Sequence, residues 1–198
     1  MLKEALIMKN KEKKAYIPTS LELEGLLAIT KEESIQRWAM LHFSYYAGCR
    51  AKEIAELTIG DVFQGNELKG MTQIKTKGGG LRRITLVDKK LRSAISTYYK
   101  VQNLSEKPMT SPLFTNPSGG RFTPNGVVKQ FVKMYLKADV PCTSHSGRRY
   151  FATKLGNTPG ITTRQMMALG GWSSPDVAMG YIETNEEQLD DLVARATL

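Results

Sequence analysis

Residues 33–57 read ESIQRWAMLHFSYYAGCRAKEIAEL, and this stretch decides the fold. Its first part predicts a helix from Glu33 to Ala47, because apolar and aromatic side chains recur there at helical spacing and form a core stripe. His42 lies on that stripe, so we interpret it as an interior histidine with a hydrogen-bond partner rather than as a metal ligand. Gly48 ends the helix, and the segment from Arg50 to Leu57 predicts a short second one.

The sequence on either side of this stretch predicts more helices and one small hairpin. Upstream, Thr19 and Glu22 form a capping box that starts a helix. Downstream, predicted strands at 71–75 and 81–86 flank a triple-glycine tip, the pattern of an antiparallel hairpin. Further helices are predicted at residues 88–102, 124–138, 144–156, 162–169, 175–182 and 185–196. We therefore expect a mainly α fold of the α+β class.

The domain organisation that we predict is simple. Residues 1–15 have the composition of a basic N-terminal arm or linker, and residues 16–198 form one domain. The sequence contains no internal repeat, no low-complexity tract and no second domain boundary.

The overall charge points to a polyanionic partner. The chain of 198 residues carries a formal charge of +9 and has a pI near 9.5. Such a balance favours nucleic acid first and an anionic membrane surface second. No apolar run approaches the roughly 20 residues that span a bilayer, and the N-terminus lacks the apolar stretch of a signal peptide. Two distant cysteines, Cys49 and Cys142, indicate free thiols in a reducing compartment, so we expect a cytoplasmic protein of bacterial, archaeal or phage origin, with a nucleus left open.

Two basic segments carry residue types that suit a phosphate ester. In the string HSGRRYFAT, His145 and Arg148 are three residues apart and are predicted to share one exposed face of the helix. The arginine offers a bidentate fork to phosphate oxygens, and the histidine offers a route for a proton. In AGCRAKEIAEL, Arg50 would add a second guanidinium, and Glu53 would hold a catalytic arginine or histidine in place. A basic surface helix and an exposed surface acid are the alternative interpretations.

Two further segments complete the candidate chemistry. The predicted hairpin, KTKGGGLRRITL, offers Lys75 or Lys77 to protonate a leaving oxygen or simply to contact phosphate. In ALGGWSSPDVAMGYIE, Tyr181 falls in the last turn of a short helix after a double glycine, where it is either a nucleophile on a movable element or a core tyrosine. With two histidines, two cysteines and no acidic cluster at ligand spacing, the chain offers no two-metal site, so we expect neither a metal nor a cofactor.

Taken in order, these segments resemble the catalytic domain of the tyrosine recombinases, the phage integrase family, over about residues 16–195. The R-x-x-E box of the family corresponds to Arg50 and Glu53, and its H-x-x-R box corresponds to His145 and Arg148.

The hairpin and the C-terminal part extend the resemblance. The family pattern K-G-x-x-x-R-x-V-P-L corresponds best to KGGGLRRITL, which selects Lys77 over Lys75, although Thr85 stands where the family usually has proline. The family segment G-H-S-S corresponds to GWSS, nine residues before Tyr181. Trp172 thereby takes the position of the commoner histidine, as in Cre recombinase of the same family; its indole N–H donates a hydrogen bond but shuttles no proton.

The resemblance implies metal-independent strand exchange on double-stranded DNA at a specific site. Tyr181 would attack the scissile phosphate and form a 3′-phosphotyrosine, which a 5′-hydroxyl of a partner strand would then resolve. The implied catalytic residues are Arg50, Lys77, His145, Arg148, Trp172 and Tyr181, with Glu53 as an auxiliary residue. The predicted DNA contacts are Lys75, Arg82, Arg83 and Arg149.

The same resemblance implies a homotetramer on two synapsed duplexes, with the predicted helix at 185–196 docked on a neighbouring protomer. Packing of that helix on its own domain is the alternative. Family members usually carry an N-terminal core-binding domain, whereas only about 15 residues precede the catalytic domain here. The sequence is therefore expected to be either an excised fragment or a minimal recombinase like the fimbrial invertases.

Two other functions stay open at this point. A type IB topoisomerase uses similar chemistry but religates the same strand. A DNA-binding regulator would keep the fold without the reaction.

Overall fold

The computed structural model describes residues 14–75 and 80–181 of the chain. The helices are α1 (Ser20–Glu33), α2 (Ile35–Tyr46), α3 (Ala51–Glu56), α4 (Ile59–Val62), α5 (Lys89–Val101), α6 (Pro124–Lys137), α7 (Ser146–Gly156), α8 (Thr163–Gly170) and α9 (Pro175–Met179), with a 3-10 turn at Leu104–Glu106. The strands are β1 (Phe63–Gln64), β2 (Glu67–Leu68), β3 (Met71–Lys75) and β4 (Leu81–Thr85). The predicted mainly α fold class is confirmed.

Helix α2 lies at the centre of the fold, because α1, α3, α5, α6 and α7 all pack against it. Every residue from Trp38 to Tyr46 is buried, so the helix is covered on all sides rather than along the single stripe that its sequence predicted. His42 is 3% exposed, and its Nδ1 donates a hydrogen bond to the carbonyl of Trp38 at 2.8 Å. The interpretation of His42 as an interior histidine is confirmed.

Local capping sets where the first two helices begin. The predicted capping box is present: the backbone N–H of Glu22 donates to the Thr19 hydroxyl at 3.2 Å, and the Glu22 carboxylate accepts from the backbone N–H of Thr19 at 2.8 Å. Ser34 then serves both helices, since its backbone N–H donates to the carbonyl of Thr30 and its hydroxyl accepts from the backbone N–H of Arg37. The chain passes from α1 into α2 through this one residue.

The predicted hairpin is also confirmed. Strands β3 and β4 pair antiparallel, with Met71 opposite Thr85 and Lys75 opposite Leu81. A shorter hairpin of β1 and β2 precedes it, and α4 precedes that. The sequence did not predict these elements, because two-residue strands and a four-residue helix are too short to show a period.

The last three helices form a chain of contacts that brings distant segments together. Helix α7 packs against α2, α8 packs against both α7 and β4, and α9 packs against α8. As a result, the turn after α2, the first turn of α7 and the end of α8 meet at one place.

One predicted helix differs from the structure, and three other predicted features fall beyond the described residues. The helix predicted at 175–182 ends at Met179, so Tyr181 lies in the turn that follows and not in a last helical turn. Lys77, the predicted helix at 185–196 and most of the predicted arm at 1–15 lie outside the described residues. None of the helices within residues 14–75 and 80–181 has the length and apolar character needed to cross a membrane.

Candidate active site

Arg148, in the first turn of α7, is the centre of the candidate site. Its Nη1 donates to the carbonyl of Gly48 at 2.8 Å, and its Nη2 donates to the carbonyl of Gly170 at 2.5 Å. Arg148 is only 1% exposed, which corrects the sequence-based placement of His145 and Arg148 on one exposed helix face. The reason is tertiary: the first turn of α7 is inserted between the turn after α2 and the end of α8.

Two aromatic rings lie against the Arg148 guanidinium. The guanidinium carbon is 4.8 Å from the ring centroid of Trp172 and 5.5 Å from that of Tyr181. The two ring centroids are 5.3 Å apart, with the planes tilted by 41°. A cation held over aromatic faces is attracted by the ring quadrupoles. The structure therefore brings three of the predicted residues, Arg148, Trp172 and Tyr181, into one cluster.

Tyr181 is also fixed through its backbone. Its carbonyl accepts a hydrogen bond from the hydroxyl of Thr153 at 3.2 Å, and its N–H donates to the carbonyl of Ala178 at 3.1 Å. The first of these bonds connects the turn after α9 to α7, the helix that carries Arg148. The position of the phenol relative to the guanidinium thus depends on contacts from both helices.

Glu53 joins two arginines beside this cluster. Its Oε1 accepts from Arg50 Nη1 at 2.8 Å, and its Oε2 accepts from Arg82 Nη1 at 2.7 Å. The Glu53 side chain is 5% exposed, that of Arg82 is 0% exposed, and that of Arg50 is 36% exposed. Glu53, which was predicted to hold an arginine or a histidine in place, thus pairs with two arginines. Of these three side chains, that of Arg50 is the one that reaches solvent.

The Glu53 ion pairs lie next to the Arg148 cluster, because the carbonyl of Gly48 accepts from both Arg148 and Arg82. Burial and then repulsion by Arg82 and Arg50 lower the pKa of Arg148 to about 10, so it stays protonated at neutral pH. Three guanidiniums around one carboxylate leave an excess of positive charge in this described cluster. Such an excess in a partly dehydrated region favours the binding of an anion.

His145 lies at the edge of the same cluster. It is the N-cap residue of α7 and remains exposed, and its backbone N–H donates to the Thr143 hydroxyl at 3.3 Å. Partial desolvation of the ring, followed by the positive charges of Arg148 and Arg50, lowers the pKa of His145. The neutral imidazole is therefore favoured near neutral pH, the form that accepts a proton.

Two buried donors in the cluster have no hydrogen-bond partner among the described residues: Nε of Arg148 and Nε1 of Trp172. Buried donors are usually satisfied, because leaving one unpaired costs about 1–3 kcal/mol. Both belong to the pair of side chains that packs guanidinium against indole. The oxygens of an anion bound there would satisfy them.

The double glycine before Trp172 has a packing role. A Cβ at Gly170 would lie 1.8 Å from the Trp172 ring, so only glycine lets the indole rest on this backbone. The same residue presents its carbonyl to Arg148. Sequence reasoning noted the double glycine only as the start of the segment before Tyr181 and missed this direct support of Trp172 and Arg148.

Two predicted DNA contacts are buried, which corrects those predictions. Arg82 is 2% exposed, and its guanidinium is used by Glu53 and by backbone carbonyls. Arg149 is 4% exposed, and its Nη1 donates to the carbonyl of Ala15 at 2.6 Å. The alternation of side chains along β4 could have predicted that Arg82 is buried, because Arg82 lies on the same inward face as buried Ile84. Arg83 on the outward face is exposed.

Two of the predicted site residues remain, the hairpin lysines Lys75 and Lys77. Lys75 is exposed at the end of β3 and stays a predicted DNA contact. Lys77 is outside the described residues, so its predicted role as the proton donor also stays a prediction. Within residues 14–75 and 80–181, no three His, Cys, Asp or Glu side chains are grouped so as to hold a metal ion. Cys49 and Cys142 are buried free thiols.

The order of these segments along the chain agrees with a comparison against known families. The model of the family described as "Phage integrase family" matches residues 19–188. The chain belongs to the phage integrase family. The match includes the segments that carry Arg50, His145, Arg148, Trp172 and Tyr181.

Solved structures of two recombinases and a transposon integrase share the fold. XerA recombinase superposes with a TM-score of 0.76 at 19% identity, over 93% of this chain and 66% of that one. XerH site-specific recombinase, bound to a palindromic difH substrate after cleavage, gives 0.73 at 19% identity, over 93% of this chain and 54% of that one. The Tn1549 transposon integrase with transposon right end DNA gives 0.70 at 15% identity, over 96% and 68%.

The integrase-family chain thus spans about two thirds of the length of XerA and about half of that of XerH. No curated protein matches it in sequence. Sequence identities of 15–19% to these structures show that the fold is shared but not that the activity is. The activity has to be argued from the site.

Proposed function

We propose that this chain is the catalytic domain of a site-specific DNA recombinase that cuts and rejoins strands through a tyrosine. The observation that carries the proposal is the cluster around Arg148, against whose guanidinium Tyr181 and Trp172 both pack. Arg82 shares the Gly48 carbonyl with Arg148 and pairs with Glu53, which also binds Arg50, so the Arg50–Glu53 pair joins this cluster. Each of these comes from a different part of the chain. A phenol beside an excess of guanidinium charge is suited to phosphoryl transfer, where charge accumulates on phosphate oxygens.

In the proposed reaction, the hydroxyl oxygen of Tyr181 attacks the scissile phosphorus. A bond forms between tyrosine oxygen and phosphorus, and the bond from phosphorus to the 5′ oxygen breaks, which leaves a 3′-phosphotyrosine and a 5′-hydroxyl. Arg148 and Arg50 stabilise the non-bridging oxygens, and Trp172 Nε1 donates a further hydrogen bond. Because one ester replaces another, a 5′-hydroxyl of a partner strand reverses the step without an external energy source.

Two protons have to move in this reaction. The neutral imidazole of His145 accepts the phenol proton, a role that its lowered pKa supports. Lys77 donates a proton to the leaving 5′ oxygen. Neither transfer requires a metal ion, so we also propose metal-independent catalysis.

The partners that we propose follow from charge and from the family. The chain, with its formal charge of +9, binds double-stranded DNA through exposed residues such as Lys75 and Arg83. We propose that it assembles as a homotetramer on two duplexes in the cytoplasm, with residues 185–196 contacting a neighbouring protomer.

The test is covalent trapping on a nicked suicide substrate, in which the freed 5′ fragment diffuses away. The wild type should give a DNA–protein adduct that survives denaturation, and Tyr181→Phe should give none while it still binds duplex. Tyr150→Phe is the matched control, since it removes a phenol on α7 outside the cluster and should leave the adduct in place. An adduct from Tyr181→Phe would remove Tyr181 from the reaction. Adduct formation followed only by supercoil relaxation by monomers would instead support a topoisomerase.

A further inference from the structure

We propose that Arg82 is a positioning residue of this reaction and not a DNA contact. Its buried guanidinium connects the β3–β4 hairpin to the turn after α2 and to the end of α8. It thereby fixes Arg50 and Arg148 relative to each other. This inference rests on the proposed function.

The first connection is to the turn between α2 and α3. Arg82 Nη2 donates to the carbonyl of Ala47 at 2.7 Å, and Nη1 donates to the carbonyl of Gly48 at 3.3 Å. Since the Gly48 carbonyl also accepts from Arg148, one oxygen is shared by two guanidiniums from different elements. A shift of Arg82 would therefore move an acceptor on which Arg148 depends.

The second connection is to Glu53 and through it to Arg50. Arg82 Nη1 lies 2.7 Å from Glu53 Oε2, and the other carboxylate oxygen accepts from Arg50. Without Arg82, the nearly buried carboxylate would keep only the half-exposed Arg50 as an ionic partner in this cluster. Because an unpaired buried charge is costly, Glu53 and Arg50 would then rearrange toward water.

The third connection is to the end of α8. Arg82 Nε donates to the carbonyl of Leu169 at 3.1 Å, one residue before the Gly170 carbonyl that accepts from Arg148. The stem of Arg82 packs on Gly171, where a Cβ would come within 2.5 Å of its Cδ. Arg82 thus contacts the turn that places Trp172.

An arginine is required at this position because of its donor geometry. The planar fork offers five N–H donors in fixed directions, and Nε, Nη1 and Nη2 of Arg82 all have acceptors here. A lysine would keep the charge but could reach only part of these acceptors from a single nitrogen. Arg82→Lys keeps the charge but loses the planar fork, so it distinguishes a positioning role from simple ion pairing.

The experiment compares Arg82→Lys with wild type in single-turnover cleavage of the suicide substrate at saturating DNA. The cleavage rate should fall on the order of 10²-fold, the scale for misplacing a catalytic group by about 1 Å. The dissociation constant for duplex DNA should change by less than about threefold, because Arg82 is not at the surface and Arg82→Lys carries the same charge as wild type. A general loss of fold would weaken binding as well.

Arg92→Lys is the matched control for a purely structural guanidinium. Arg92 on α5 donates to the carbonyls of Lys69, Leu86 and Leu68, and within the described residues no hydrogen bond joins it to the site. Its substitution should lower the thermal midpoint by an amount comparable to Arg82→Lys, yet cleavage should stay within about threefold of wild type, a change of less than 1 kcal/mol.

A second variant keeps the test decisive if Arg82→Lys does not fold. The double variant Arg82→Gln with Glu53→Gln replaces the ion pair by neutral amides and so leaves no unpaired buried charge. It should cleave at least about tenfold more slowly than wild type, a difference of roughly 1.4 kcal/mol in the barrier.

The inference is wrong if a folded Arg82→Lys cleaves within about threefold of wild type, or if the double variant cleaves as fast as wild type. Adduct formation by wild type and its loss in Tyr181→Phe establish the proposed function separately. An active wild type together with an active Arg82→Lys would therefore contradict the role of Arg82 alone.

Discussion

At Arg148, a positive charge that the fold removes from water is held by two backbone carbonyls and two aromatic rings. Burial and the neighbouring arginines lower its pKa to about 10, so the charge persists at neutral pH at an energetic cost. A bound phosphate would offset that cost by supplying an opposite charge and acceptors for Nε. Under the proposed function, the ring of Tyr181 must turn so that its hydroxyl, rather than its face, meets the site that the phosphate occupies.

His42 shows the same effect of burial on a histidine. Desolvation within α2 lowers the pKa of His42 from 6.5 to about 4, partly opposed by its hydrogen bond to the carbonyl of Trp38. Between these values the unfolded chain binds a proton that the folded chain does not. Stability therefore falls as pH falls from about 6.5 towards about 4, by on the order of 2–3 kcal/mol from this one residue.

We predict that this pH dependence disappears in large part in His42→Asn, whose amide nitrogen can replace Nδ1 as the donor to Trp38. Urea unfolding of both proteins between pH 7 and pH 4.5 measures it. Because the chain has only two histidines, NMR titration of the imidazole protons should show one resonance titrating near 4 and one, His145, below 6.5. Equal pH slopes in the two proteins would contradict the prediction.

At the scale of elements, the site depends on the turn that joins α2 to α3. Gly48 adopts φ +61°, the left-handed region that glycine occupies without strain. A Cβ there would also lie 2.3 Å from a ring carbon of Phe151 on α7. This one residue therefore lets α7 approach α2 and aims a carbonyl at Arg148 and Arg82. The turn couples the packing of two helices to the placement of two guanidiniums.

We predict that Gly48→Ala destabilises the protein by roughly 2–5 kcal/mol, since left-handed strain adds to overlap with Phe151. Gly65→Ala is the matched control: Gly65 has φ +58° with no atom near the added Cβ, so only the strain of about 1–2 kcal/mol applies. Urea midpoints measure both. If the two variants lose the same stability, close packing at Gly48 does not contribute.

At the scale of the whole molecule, the arginines that contribute to the formal charge of +9 fall into two groups. Some guanidiniums, those of Arg82, Arg148 and Arg149, are buried and hold segments of the fold together. Others, such as Arg83, face solvent and can neutralise phosphates. Under the proposed function, buried guanidiniums away from the scissile phosphate, such as that of Arg149, release no counterions when DNA binds, so the net charge overstates the DNA-binding surface.

We predict that Arg83→Gln lowers the slope of the logarithm of the duplex affinity against the logarithm of salt concentration by about 1, the value for one phosphate contact. Arg149→Gln, on α7, removes the same formal charge but should leave that slope unchanged, because Arg149 is buried against Ala15. Binding isotherms at several salt concentrations, taken below the thermal midpoints of both variants, measure this. An equal fall in slope for Arg149→Gln would place Arg149 on the DNA.

Much of the fold could be predicted because its signals are local. The Thr19 capping box, the aromatic period from Trp38 to Tyr46, and the strands on either side of the glycine tip each act within a few residues. The candidate residues were identified through the resemblance of their order and spacing to the boxes of the phage integrase family, and Arg148, Trp172 and Tyr181 do converge. The elements that were missed, α4 and the β1–β2 hairpin, are too short for a period to appear.

The sequence by itself determined which residues are available for chemistry and on which helices and strands most of them lie, because capping and periodicity are properties of neighbours in the chain. Only the tertiary structure decided which arginines are buried and which face solvent. Arg82 and Arg83 are adjacent and chemically identical, yet one is enclosed between β4, α8 and the turn after α2 while the other is exposed. Burial depends on what packs across from a side chain, and those partners come from segments up to 87 residues away.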